Sequence, residues 1–272
     1  MPLYRLLTVL LIGVCCITCS EVVAEEQKET NAYERDFKHG NNLLVLGKYQ
    51  QAIKVGKSGL LKDPQNVVLL KILSVANFGL RKFKAAYDRC YQAVEFAPYD
   101  LGLHDIFIDV AVRLKNVKTN ELLRFVIRND PEFLNHPSIQ QQLPTYPWIR
   151  KFNASRMEFV IAMAYTDVCL EHSQQGNHKL AERMISYAIE LTPSDQEYYE
   201  LRARERIQNR HRCLGAIHDC IMSFKYGNRT RFPFTLSVLA FGELIVIDHE
   251  VAQLRTLSIT SALSAYLMSS AL

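Results

Sequence analysis

The chain has 272 residues, 49% hydrophobic and 22% charged, with 32 Lys and Arg against 28 Asp and Glu for a formal charge of +4. Those proportions exclude a disordered tail, a collagen and a multispanning membrane protein, and so small a positive excess gives no general drive toward nucleic acid or anionic lipid. Eleven glycines, nine prolines and apolar runs at helical spacing disfavour a sandwich or barrel of many short strands and predict helices nearly throughout.

Residues 1–24 read as a secretory signal: Arg5, an apolar stretch from Leu6 to Ile17, then small residues leading to Val22-Val23-Ala24. The apolar stretch is shorter than the roughly 20 residues that cross a bilayer, which favours cleavage after Ala24. An uncleaved anchor stays open as the alternative, and a lipid-modified Cys15, Cys16 or Cys19 fits less well, since Val14 and Thr18 stand where glycine or alanine is usual. The predicted compartment is the secretory pathway: extracellular, the endoplasmic reticulum lumen, or the periplasm of a bacterium. There Cys90, Cys169, Cys213 and Cys220 would be either buried free thiols or partners in at least one disulfide. Asn153-Ala154-Ser155 and Asn228-Arg229-Thr230 are glycosylation sequons.

An internal period carries most of the information. Leu46-Gly47-Lys48-Tyr49-Gln50-Gln51-Ala52 recurs 34 residues later as Leu80-Arg81-Lys82-Phe83-Lys84-Ala85-Ala86, and each copy meets a proline, Pro64 or Pro98, 12 residues after its final alanine. A third copy opens at Leu114-Lys115-Asn116-Val117 but is degenerate, with Asn120 for the alanine and Pro131 one residue early. A fourth runs through Gly176-Asn177-His178-Lys179-Leu180-Ala181 to Pro193, and Ala216-Ile217 opens a fifth.

These copies resemble the tetratricopeptide repeat family. The resemblance implies an all-α fold, an α-solenoid of antiparallel helix pairs wound into a right-handed superhelix. Gly40 and Ala52 would let helices approach closely, Tyr49 or Phe83 would fill the space between them, Gly47 suits the turn, and proline stops the second helix. Ser74 and Cys169 stand where glycine or alanine is usual. The organisation read from the sequence is a signal at 1–24, repeats one to three over 33–132, a connector or insertion over 133–155, repeats four and five over 156–230, and an apolar capping tail over 231–272. The connector holds Pro137, Pro144, Pro147 and the only tryptophan, Trp148. It reads as a link packed by Trp148 and Tyr146, or as a loop that helps shape a groove. The tail, from Phe232, reads as a cap on the last apolar face.

No His-Glu-x-x-His pair, Gly-x-Ser-x-Gly elbow or glycine-rich phosphate loop occurs, so neither an enzyme nor a cofactor is predicted. His211, Cys213, His218 and Cys220 have metal-ligand chemistry without a ligand spacing, and no metal is assigned to them. Arg202, Arg206 and Arg210 recur every four residues and predict a basic stripe on a helix. The resemblance implies a protein or peptide ligand in the concave groove lined by the first helix of each pair. In the first two copies that groove would present Phe37, Asn41 and Leu44, then Lys71, Val75 and Phe78. Some cytosolic members hold a chaperone's carboxyl terminus with a clamp of lysines, asparagines and arginine; here only Asn41 matches, with Phe37, Ile72, Gly102 and Ile106 in the other places. The resulting reading is an exported, noncatalytic scaffold for protein partners, with no nucleic-acid role. The alternative is a membrane-associated tether using the amino-terminal segment or the tail; a less favoured one is an unfamiliar enzyme with its site in the 132–155 insertion or the tail.

Overall fold

The computed structural model describes residues 37–115, 117–149, 154–209, 212–227 and 236–240. The signal segment, both sequons as whole triplets, Arg210, His211 and all of the tail but 236–240 lie outside the described residues. Helices dominate. The chain forms two compact units, Met1–Thr119 and Asn120–Leu272.

In the first unit, helix α1 (residues 37–45) is followed by α2 (Tyr49–Leu60), α3 (Val67–Gly79), α4 (Phe83–Phe96) and α5 (Leu101–Leu114). The period read in the sequence reappears as a recurring set of caps and turns. Asn66 caps α3 by accepting from the Leu69 amide at 3.1 Å, and 34 residues on Asp100 caps α5 by accepting from the Gly102 amide at 2.9 Å. Each cap stands two residues after the proline that ends the preceding helix, and it satisfies a backbone donor that has no intrahelical partner.

Within the pairs the turns are equally periodic. Gly47, Arg81 and Lys115, spaced by 34, all have positive φ, at 68°, 60° and 58°. At the first two the next amide reaches back five residues, Lys48 to the Leu43 carbonyl and Lys82 to the Asn77 carbonyl, both at 2.8 Å. That closure requires a left-handed residue, which glycine adopts freely and arginine does not.

Small residues set the spacing between helices. On α2 the buried positions are Ala52, Gly56 and Gly59, and a Cβ at Gly56 would stand 2.8 Å from the Leu73 side chain of α3. Gly40 serves α3 as well, since a Cβ there would meet the Ile72 Cδ1 at 2.7 Å. Tyr49 lies over Gly79, and Phe83 packs against Phe78 with ring centroids 5.6 Å apart. Ser74 keeps its place in the core by donating from Oγ to the Ala86 carbonyl at 3.1 Å.

The second unit begins with α6 (Glu121–Asn129), followed by a 3-10 turn at Phe133–Asn135, helix α7 (Pro137–Gln142), a second 3-10 turn at Leu143–Thr145, and an antiparallel two-residue ladder pairing Trp148 with Ser155 and Ile149 with Ala154. Then come α8 (Arg156–Gln174), α9 (His178–Leu191), α10 (Gln196–Gln208), α11 (Cys213–Lys225) and a helical turn at 236–240. Ser155 starts α8 with a capping box, accepting from the Glu158 amide while the Glu158 carboxylate accepts from its own. Gly176 (φ 76°) repeats the left-handed turn, and Asp195 repeats the cap two residues after Pro193.

The two units part between Thr119 and Asn120, inside the degenerate third copy. There α6 packs on α8 instead of carrying the alanine seam: Asn120, buried where alanine is usual, donates to Asp167 at 3.0 Å. The connector carries Phe133, Leu134, Ile139 and Leu143, all buried, and Tyr146, half-buried; the Trp148 side chain lies outside what is described. Each fully buried side chain of this size contributes about 1.5–3 kcal/mol. Tyr165, fully buried on α8, fixes the start of the connector by accepting from the Leu134 amide at 2.9 Å and donating to the Pro131 carbonyl at 3.3 Å.

Candidate interaction site

The first helices of the first unit, α1, α3 and α5, carry the residues expected in a groove. Phe37 is 39% exposed, Asn41 is exposed and Leu44 is half-buried against the cluster of Leu43, Ala52, Leu69, Ile72 and Ala76. One period on, Lys71, Val75 and Phe78 are all half-buried. Applying the period once more reaches Asp105, Asp109 and Val112 on α5, and Val112 is 56% exposed. Leu44, Phe78 and Val112 thus form one row of equivalent apolar positions. Val112 was legible by carrying the 34-residue step into the degenerate third copy.

Lys71 is ion-paired in the groove. Its Nζ donates to Asp100 Oδ2 at 2.8 Å and Oδ1 at 3.1 Å, so it grips the side chain that caps α5. The surface is therefore more apolar toward a ligand than a residue count implies. Of the places a carboxylate clamp would use, Ile72 is buried and Gly102 sits against the Lys71–Asp100 pair.

The basic stripe is overturned for its described members. Arg202 and Arg206 of α10 have side chains only 14% and 17% exposed. Arg202 forks onto Asp219, Nε to Oδ2 at 3.0 Å and Nη2 to Oδ1 at 2.7 Å, while Arg206 donates from Nη1 to the same Oδ2 at 2.8 Å and from Nε to Glu182 at 2.8 Å. Asp219 on α11 and Glu182 on α9 are both buried, so the arginines tie three helices together in place of a solvated cationic face. A second tie joins α6 to α8, where Arg124 and Arg128 both bond Glu171. The hydrogen bonds from Arg128, joined by Arg124, hold the Glu171 carboxyl down to about 2 against the upward push of burial.

The metal-like cluster disperses. Cys213 and Cys220 face the core with Ala203, Ala216, Leu236 and Ala240, whereas the side chain of His218 on the same helix is 66% exposed. All four cysteines of the predicted mature chain are buried free thiols. Burial pushes Cys90 up to about 11 and Cys169 to about 12, so neither carries a reactive thiolate near neutral pH. Among the described residues no helix is long and apolar enough to cross a membrane.

No family model matches the chain, and no curated protein sequence matches it. Its helices resemble solved TPR structures. The thermophilic TPR protein TTC0263 of Thermus thermophilus is 17% identical, over 78% of this chain and 98% of its own, with a TM-score of 0.31. MamA protein is 13% identical over 71% and 90%, TM-score 0.35, and the TPR2AB domain of yeast Sti1, solved as a pHSP90 complex, is 13% identical over 80% and 91%, TM-score 0.29. The all-α repeat fold itself stands on the recurring caps, left-handed turns and prolines described above.

Proposed function

We propose that the chain is an exported, noncatalytic helical-repeat scaffold that binds a protein or peptide partner along α1, α3 and α5. The observation that carries this reading is the row Leu44, Phe78 and Val112, with Phe37 beside its start. Equivalent positions on successive helices offer apolar contact to one extended ligand. Such a surface is built before the ligand arrives, so binding orders little of the scaffold and the apolar contacts are retained as affinity. The Lys71–Asp100 pair, being internally matched, contributes orientation more than attraction.

Affinity capture from the native source with the wild-type chain and with the double variant Phe37→Glu, Val112→Glu tests the surface. Both side chains are exposed, so the variant keeps its fold, and its partner should be depleted at least tenfold. Retention of the same proteins by both chains refutes the groove. Amino-terminal sequencing of the natural product tests export: a chain beginning after Ala24 is expected, and an intact Met1 in a cytosolic fraction would reverse the compartment.

A further inference from the structure

From the second unit we infer a separate anion site, a cleft between the amino-terminal half of α9 and the carboxy-terminal end of α10 that takes a phosphoryl-bearing small ligand. The cleft has a volume of about 870 Å³, with His178, Lys179, Glu182, Arg183, Arg206 and Arg212 in its lining. That size lies within the usual range for small-molecule sites, roughly 300–1,000 Å³. Among the described residues of the lining, Glu182 is the only carboxylate side chain, against Lys179, Arg183, Arg206 and Arg212.

Charge bookkeeping around the walls gives the ligand's chemistry. Arg183 is matched by Glu132. Among the described residues Arg202, Arg206 and Arg212 share two carboxylates, Glu182 and Asp219, and the single oxygen Glu182 Oε1 accepts from both Arg206 Nε and Arg212 Nη1 at 2.8 Å. One guanidinium charge is left over. Lys179, exposed at the mouth, has no acidic partner among the described residues and adds a second. Glu205, bonded to Ser173 and to His178 Nδ1, both at 2.8 Å, stands behind the lining as Arg202 and Asp219 do, and counting it leaves a net excess of one positive charge among the described lysines, arginines and carboxylates. A phosphoryl group, with about −1.5 to −2 charge at neutral pH and three acceptor oxygens, answers that excess. Arg212, its side chain 54% exposed, and Lys179 can turn donors onto it while buried Glu182 and Asp219 hold Arg206 in place.

The site is independent of the groove on the first unit. Isothermal titration of the full chain with inositol hexakisphosphate and, separately, with inorganic phosphate tests it directly. A saturable site, one per chain, is expected for at least one probe. The double variant Lys179→Gln, Arg212→Gln, its fold checked by circular dichroism, should weaken that binding at least tenfold. Lys84→Gln, on the first unit, should leave it unchanged. Co-sedimentation with phosphatidylcholine vesicles, with and without phosphatidylinositol bisphosphate, separates a lipid headgroup from a soluble phosphate: vesicle binding that the double variant loses assigns the headgroup. Absence of saturable binding in every arm, or equal affinity in wild type and double variant, overturns the site.

Discussion

Replacing Asp219 by alanine removes the carboxylate on which Arg202 and Arg206 converge, and the cost follows from where those groups sit. Asp219 is fully buried and both arginine side chains are less than a fifth exposed. Breaking a buried ion pair from one side costs about 3–5 kcal/mol, because the surviving charge stays in a low-dielectric site without compensation. Arg206 keeps Glu182 and the Gly215 carbonyl, and Arg202 keeps a 3.3 Å contact to Ser186 and the face of the Tyr199 ring, 5.7 Å away. The lower end, about 3 kcal/mol, is therefore expected, or roughly 6–12 °C in melting temperature for a protein of this size. Urea titration and thermal melts followed by far-ultraviolet circular dichroism measure it. Two companions sharpen the test. Asp219→Leu combined with Arg202→Met should recover most of the loss, since an apolar pair needs no charge compensation. Lys84→Ala, which breaks a pair whose side chains are 74% and 56% exposed, should cost less than about 0.5 kcal/mol. An Asp219→Ala chain within about 0.5 kcal/mol of wild type would refute the view that these arginines hold the second unit together.

Arg81→Gly should stabilise the first unit by about 1 kcal/mol, because Arg81 holds φ of 60° at a position where a Cβ is penalised and its counterpart one period earlier is Gly47; a urea midpoint that falls instead of rising contradicts the reading of the turn as strained. His104 is buried with Nε2 2.8 Å from the Pro98 carbonyl, and burial lowers it from 6.5 to about 4. Its folded value lies below its unfolded one, so between pH 6.5 and 4 the unfolded chain binds the extra proton. Stability contributed at neutral pH is lost across that window as the pH falls, on the order of 3 kcal/mol, and His104→Gln should flatten that part of the pH–stability curve relative to wild type.

Much of this architecture could be read from the sequence because the features that repeat are local. A proline, a cap two residues later and a left-handed turn residue each act within a few positions of the chain, so Pro64-Gln65-Asn66, Pro98-Tyr99-Asp100 and Pro193-Ser194-Asp195 announce helix starts without tertiary information. The arginines were misread for the opposite reason. A four-residue spacing places Arg202 and Arg206 on one side of a helix but does not say what that side meets, and their partners lie on α9 and α11. A signal existed: Glu182 adjoins Ala181 at the head of a buried stripe, and Asp219 falls three residues after buried Ala216 and next to Cys220. Carboxylates at core-facing positions demand buried cations, and a basic helix between them is the natural source.

The same logic explains why the third copy, weakest in sequence, is where the units part. In the intact copies alanine at the head of the second helix lets that helix settle against its own partner; Ala52 and Ala86 are fully buried. Asn120 cannot bury an amide there without a polar partner, and it finds one in Asp167 on α8, with Arg124 and Arg128 of the same helix bonding Glu171 a turn away. A short α6, nine residues against fourteen in α4, is thereby held to the second unit by polar ties and by Leu122, Leu123, Val126 and Ile127. A buried amide needs its hydrogen bonds satisfied, and in α6 that partner is supplied by α8 of the same unit.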